Sequence, residues 1–449
     1  MHAYKYSMRE VQLRRMRQRK TVWVLGALVL LALGALWWWA AQRPPSIVIP
    51  PRQYPPNNAY DAYKQIAQGV SDLFKMDKRL RDIESRLFGR GNPPVSQADK
   101  RYLLQKMQPF LEAYRRHTEQ PCVAVYEYDI NWLFPEMAQF RRLARAESLM
   151  IRDALAAGRE DEALMRLQAL LRFSEQIRTE GVLIHYLVGS AVTHTGLEPL
   201  REYLPKIQSP RTLDAIISLA RDAEQRHTPV RVALTQEYYF GLALYRDLAR
   251  GKLKFQDLEK SWGFTGFASS PLETLALHSG VFARFVLKPS LKEYQQYYDQ
   301  IFAEFEKPLW ERKPVSANLK RLINQVIFPV FDQSVLREQS SVATLRLLAC
   351  YAAIRRYHQQ RGAYPLSLEA LRPELGEMII DPFTGKPFVY RTHPKRGFQL
   401  YSVGENLTDD GGRLSANRRQ GDLLPITEGA LPEGQRPAGN RLSAPVWLR

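Results

Sequence analysis

The run Thr21–Ala41, TVWVLGALVLLALGALWWWAA, holds 21 residues without a charge. As a helix rising about 1.5 Å per residue it reaches about 31 Å, the thickness of a bilayer's hydrocarbon core. The chain is therefore expected to carry a single transmembrane helix over 21–41. Residues 1–20 are a basic tail with Lys5, Arg9, Arg14, Arg15, Arg17, Arg19 and Lys20 against Glu10 alone. Basic flanks stay on the cytoplasmic side, and Trp37, Trp38 and Trp39 suit the opposite interface. A Trp triplet is a poor small-residue cleavage site, so the run reads as an uncleaved anchor rather than a signal peptide. The N-terminus is expected inside and everything after residue 42 outside.

The tail supplies +6 of the formal net charge of +18, leaving +12 for 429 residues. Next to a membrane, such a tail reads as an orientation signal that also attracts anionic lipid. No basic block interleaved with aromatics is present, so nucleic acid is not an expected partner. Cys122 and Cys350 are the two cysteines. One disulfide between them and two separate buried thiols are both compatible with the spacing.

Residues 42–56 form a linker with Pro44, Pro45, Pro50, Pro51, Pro55 and Pro56. Proline fixes φ and donates no backbone hydrogen bond, so this stretch is expected to be an extended stalk. Residues 57–337 read as helix after helix. Asn57, Asn58, Ser96 and Ser209 with Pro210 are start signals, Pro135 sits at a first turn, and Gly158 and Gly181 are stop signals. Arg145–Glu180 resembles one tetratricopeptide-type pair meeting at AAGREDEALMRL, with no second copy at fixed period. A generic antiparallel helix pair is the plainer reading.

The helical region holds no Gly-x-Ser-x-Gly elbow, phosphate loop, His-Glu-x-x-His helix or dinucleotide fingerprint. His185 and His194, nine apart on one helix, face opposite sides. Glu237, Tyr238 and Tyr239 with Tyr245, and Tyr294, Tyr297 and Tyr298 with Glu304, form two polar-aromatic groups. Tyrosines in such groups are more often core residues with a bonded hydroxyl than a ligand cage.

From about Glu338 the pattern changes. An amphipathic helix ends at Arg361–Gly362, and short elements rich in Gly, Pro and Asp follow. FVYRT and FQLYSV read as strands of a small antiparallel sheet. The expected fold is mainly α, with a small α+β domain over 338–426 and a flexible tail over 427–449.

The order of motifs over 338–426 resembles the globular head of the major pseudopilin of type II secretion. It runs through Gly362-Ala363-Tyr364-Pro365, a short Leu-rich helix at Leu366–Leu371, and Asp381-Pro382-Phe383 with Gly385, Pro387, Phe388 and Tyr390. Tyr401, Ser402 and Gly404 follow, then Asp409-Asp410-Gly411-Gly412 and Asp422-Leu423. The resemblance implies a calcium site drawn from Asn406, Asp409, Asp410 and Asp422, oxygen donors that suit a hard cation. Asn406 stands where that family usually has Asp, and Arg413, Arg418 and Arg419 lie in the same loop. The family's peptidase site is absent before the membrane run, and roughly 300 residues separate that run from the head.

Together these features lead to the expectation of a bacterial inner-membrane protein. Its ectodomain would be periplasmic or extracellular, non-enzymatic, and an assembly or interaction partner of other envelope proteins, linked through the resemblance to a secretion or pilus-like system. The alternative is an envelope hydrolase or ligand-binding protein with a pocket among the helices, which a convergent polar cluster in a concave face would favour.

Overall fold

The computed structural model describes residues 22–38, 47–89, 95–129, 131–255, 283–313, 315, 319–321, 323–324, 334–393, 397–412 and 423–427. Over these the protein is mainly helical with one small antiparallel sheet. Residues 22–38 are helical (α1) with every side chain exposed. No helix among the described residues is long and apolar enough to cross a membrane. The expected span of 21–41 is described only over 22–38, and residues 21 and 39–41 lie outside the described residues.

The chain divides into two compact units. Unit 1 takes in Met1–Ile49, Leu242–Gln296 and Asn318–Phe328, and unit 2 the remainder from Pro50. In unit 2, α2 (Ala59–Met76) starts where Asn58 accepts a hydrogen bond from the Tyr60 N–H. Asp77 ends α2 and caps α3 (Lys78–Phe88) through Leu80 N–H, a break with no Gly or Pro to announce it. Ser96 caps α4 (Gln97–Arg115). Helix α5 (Glu136–Ala156) follows Pro135, and α6 (Glu160–Arg178) follows Gly158 at φ 72°. Helix α7 (Leu183–Tyr203) lies against both α5 and α6, and α8 (Pro210–Gln225) is opened by Ser209.

The stop at Gly181 has a different cause from the one expected. The left-handed residue is Glu180 (φ 54°). Gly181 is needed because a Cβ there would lie 2.4 Å from His185 Cβ.

Helix α9 (Val230–Ala249) and α10 (Ala283–Phe305) follow, and α11 (Ser334–Arg361) starts four residues before the expected Glu338. Within unit 2, α11 packs on α8, and its residues Leu345, Leu348 and Ala352 are buried in the core. Gly362, at φ 69°, donates to His358 O and ends α11. The sheet order is β1 (Val389–His393), β2 (Gly397–Ser402), β3 (Leu423–Thr427), all antiparallel. Tyr390 pairs with Leu400 and Thr392 with Phe398. Leu400 and Phe398 are buried, and Phe398 meets the Tyr351 ring of α11 at 5.2 Å.

In unit 1, Asn324 donates to Ser290 O (2.9 Å) and Glu293 Oε2 (2.8 Å), and its side-chain oxygen accepts the Tyr245 hydroxyl. Tyr294 packs on Tyr245 at 5.5 Å.

Candidate functional site

The residues expected to bind calcium fall in the loop after β2. Asp409 Oδ1 accepts the Tyr401 hydroxyl and the Gly411 N–H, the latter at 2.9 Å, and its Oδ2 accepts from Arg391. Asp410 Oδ2 accepts Asn406 Nδ2 at 2.9 Å, and Asn406 Oδ1 accepts Thr408 N–H at 3.1 Å. Hydrogen bonding to Tyr401 and Gly411, with Arg391 alongside, holds the Asp409 carboxyl below its ordinary range. A cation would have to displace the Arg391 guanidinium from Asp409, and these donors fit a turn closed on itself better than a cation cage. Asp422 lies outside the described residues. Among the described residues no group of three or more His, Cys, Asp or Glu is placed to hold a metal.

The two polar-aromatic groups come apart. Tyr245 and Tyr294 belong to unit 1, whereas Tyr238 and Tyr298 meet in unit 2 at 5.1 Å between ring centres. Tyr294, Tyr297 and Tyr298 are all buried, as core tyrosines are. Glu304 accepts from Lys307 Nζ (2.7 Å) and Lys313 N–H (3.0 Å), a local tie at the end of α10. His185 is fully buried, and His194 Nδ1–H donates to Ser190 O of its own helix, 2.8 Å away.

The most developed polar constellation is one the sequence did not announce. Arg52, inside the Pro-rich linker, is bound into unit 2 by all five of its N–H donors. Nε donates to Tyr54 OH (3.0 Å), Nη1 to Tyr126 OH (2.6 Å) and Gln236 Oε1 (2.9 Å), and Nη2 to Ala124 O (2.6 Å) and Glu180 O (3.0 Å). The guanidinium also lies 3.9 Å from the centre of the Tyr126 ring, a cation–π contact. Every one of these five acceptors is neutral. The linker from Pro50 onward is thus not a free stalk. It is pinned to the helical body, because its half-buried cation Arg52 finds five acceptors there.

Behind this clasp lies a buried relay. His185 Nε2 is 2.9 Å from Tyr60 OH, which donates to Glu136 Oε1 at 3.1 Å. Since Tyr60 gives its proton to Glu136, His185 Nε2 carries the proton given to Tyr60. Nδ1 then has no hydrogen-bond partner in the structure. Burial pushes His185 down to about 3, so the ring is neutral. Glu237 reaches from α9 to accept the Leu183 N–H at 2.8 Å, capping α7, and burial pushes its carboxyl up to about 7 against that bond.

A second buried network centres on Arg178, 1% exposed. It donates to Glu175, to Thr193 Oγ1 (3.0 Å) and to Ser190 Oγ (3.4 Å), and lies 3.3 Å from His227 Nδ1. Burial opposes the Glu175 charge, but Arg178 and His227 outweigh it and hold the carboxyl below its ordinary range. These are ties between helices. The concavity beside them, lined by Arg172, Glu175, Asp222 and Arg226, encloses about 220 Å³ including open solvent. That is below the size of ordinary small-molecule pockets.

The signal for Arg52 was present but weak: an isolated cation between prolines and a tyrosine, Pro51-Arg52-Gln53-Tyr54-Pro55. Its five acceptors are scattered from residue 54 to residue 236, a convergence that spacing does not encode. Comparison with known proteins gave no matching family model, no matching curated protein and no matching solved structure.

Proposed function

We propose that this is a single-pass membrane protein whose helical ectodomain works by binding other proteins of the cell envelope rather than by catalysis. The observation that carries the reading is α1, seventeen consecutive helical residues (22–38) without a charge and with every side chain exposed. Apolar side chains in that number are costly in water, about 25 cal/mol for each Å² left uncovered, and hydrocarbon removes the cost. The basic tail before it sets the N-terminus in the cytoplasm. The polar centres of unit 2 favour the non-catalytic half of the reading, since Arg52, Glu237 and Arg178 fasten segments and helices to one another. The link to a secretion or pilus-like machine in a bacterial inner membrane rests on the motif order over 338–426 alone.

Crosslinking of the full chain in native membranes, with mass spectrometry of what is captured, tests the reading. Recovery of envelope-assembly components supports it. Capture of cell-wall polymer alone, or extraction of the protein by alkaline carbonate, overturns the partner and the anchor respectively.

A further inference from the structure

Among the described residues, the hydrogen bonds that hold segment 50–56, PPRQYPP, to the rest of unit 2 come from two side chains. One is the Arg52 guanidinium. The other is the Tyr54 hydroxyl, which donates to Tyr126 O at 3.2 Å. No main-chain hydrogen bond of 50–56 adds to them among those residues. The segment contains neither helix nor strand. Pro50, Pro51, Pro55 and Pro56 have fixed φ, so it loses little freedom on docking. It lies on unit 2 as a ligand lies on a site, through one anchoring side chain.

The cradle under Arg52 is largely satisfied without it. Tyr126 OH donates to Glu180 O at 3.0 Å, and Tyr128 OH donates to Gln236 Oε1 at 2.6 Å. Gln236 Nε2 is held by the Glu180 carboxylate. If the guanidinium left, Glu180 O and Gln236 Oε1 would each keep a hydroxyl donor, and Ala124 O alone would turn to water. A strut that only tied the linker down would leave buried acceptors orphaned on release, at a cost of about 1–3 kcal/mol each. Here the acceptors are preorganised, and Tyr126 and Gln236 are themselves buried. Tyr239 and Phe240 lie 6.3 and 6.4 Å from the Tyr128 ring and continue the cradle as an aromatic wall, the kind of surface on which proline-rich segments dock.

We infer that the cradle of Ala124 O, Tyr126, Glu180 O and Gln236 is an arginine-recognition site for an extended, proline-flanked segment of a partner protein, and that 50–56 is the resident competitor covering it. This deepens the partner-binding reading above and rests on it. The resident segment defines the ligand. Its acceptors are neutral, so recognition depends on the planar fork of guanidinium donors, which an ammonium lacks. A tethered competitor acts at an effective concentration on the order of mM, so the site is closed to a dilute ligand while Arg52 is in place.

The probe is a fluorescently labelled peptide PPRQYPP, titrated by anisotropy into the purified full chain and its Arg52→Ala variant. The expected result is binding to Arg52→Ala tighter than to the natural chain by about tenfold or more, and weaker by a similar factor when the peptide carries Lys in place of Arg. Adding Gln236→Leu to Arg52→Ala should abolish the binding. No binding to an Arg52→Ala chain with an intact melting transition overturns the site. If that variant does not fold, Arg52→Lys, which keeps the charge and the stem but not the fork, takes its place, and an affinity equal to that of the natural chain overturns the site. Failure of both variants to fold makes 50–56 an integral part of unit 2 and also overturns it. Crosslinking in native membranes separates this inference from the reading beneath it. Arg52→Ala should raise the yield of the envelope partners captured by the natural chain. An unchanged yield overturns the competitor role and leaves partner binding standing, whereas no partner captured by either chain overturns the partner-binding reading itself.

Discussion

Glu237 shows how one side chain carries opposing demands. As the acceptor for the Leu183 N–H it occupies the start of α7, where the helix dipole favours a negative charge. Burial opposes that charge and wins, raising the carboxyl to about 7 from an ordinary value near 4.3. The folded state therefore binds more protons than the unfolded state between those two values, and stability falls as pH rises through that window. Above about pH 7 the full cost of the buried charge is present. Glu237→Gln keeps the acceptor oxygen and removes the titration. The melting temperature of the natural chain should drop more between pH 5 and pH 8 than that of the variant. Glu175, held low by Arg178 and His227, gives the opposite trend at acid pH but is common to both proteins, so the difference isolates Glu237. Parallel curves for the two proteins would exclude the charge cost at this position. Arg52 has no such titration, and its role is geometric: five donors in a fixed plane meet five neutral acceptors, which a lysine's three donors cannot reproduce.

At the scale of elements, the approach of α7 to α6 depends on Gly189. A Cβ there would lie 2.6 Å from Arg178 Cγ and 2.7 Å from the Ser174 carbonyl oxygen, and a backbone atom cannot swing aside. Gly196, further along the same face, meets side-chain atoms alone, nearest Leu170 Cδ2 at 2.8 Å and Leu167 Cδ1 at 3.3 Å, the far ends of flexible side chains, with Leu170 Cγ at 3.4 Å in ordinary contact. Alanine gains up to about 1 kcal/mol over glycine in a helix interior. Overpacking costs about 1–3 kcal/mol. Gly189→Ala should therefore be net destabilising in denaturant unfolding, and Gly196→Ala close to neutral. The reverse order would mean that α6 and α7 are spaced more widely than described. Local signals for elements were largely legible: Asn58, Ser96, Ser209–Pro210 and Gly158 act at helix ends through bonds made within three or four residues. Asp77, which both ends α2 and caps α3, was hidden inside a continuous apolar period. Gly181 was legible as a required glycine, but its reason is the His185 Cβ, a contact that exists only once α7 has turned back. The clasp and the Arg178 network were illegible for the same reason, since each gathers partners from helices far apart in the chain. For the acidic loop, the Asp-Gly turn was legible, whereas the Arg391 bond to Asp409 arises from the β1–β2 register.

At the scale of the molecule, the two cysteines report on how unit 2 opens. Both are free thiols, one on each side of the stretch from the first helices to the sheet. Cys122 Sγ donates to Gln176 O at 3.4 Å, tying the segment after α4 to α6. Cys350 Sγ donates to Met378 O at 3.4 Å, tying α11 to the turn before the sheet. Burial pushes the Cys122 thiol up to about 12 and the Cys350 thiol higher still, so neither supplies thiolate in the folded state. A water-soluble thiol reagent should leave the native chain unmodified over minutes. It should count two thiols after unfolding without reductant, whereas a disulfide between them would give none. The order of labelling under mild denaturant carries further information. Cys122 is 8% exposed and needs only the segment after α4 to lift, while Cys350 is fully covered and needs α11 to separate from the 376–379 turn. If unit 2 opens in stages, Cys122 labels first and at lower denaturant; if it opens as one cooperative body, both label together with the rate of global unfolding. The extensive packing of α11 on α8 joins the sheet region to the helices within one compact unit, so simultaneous labelling is the expected result. Early modification of Cys350 alone would show that the sheet and its helix detach as a separate module, as the change of sequence character near residue 338 suggests.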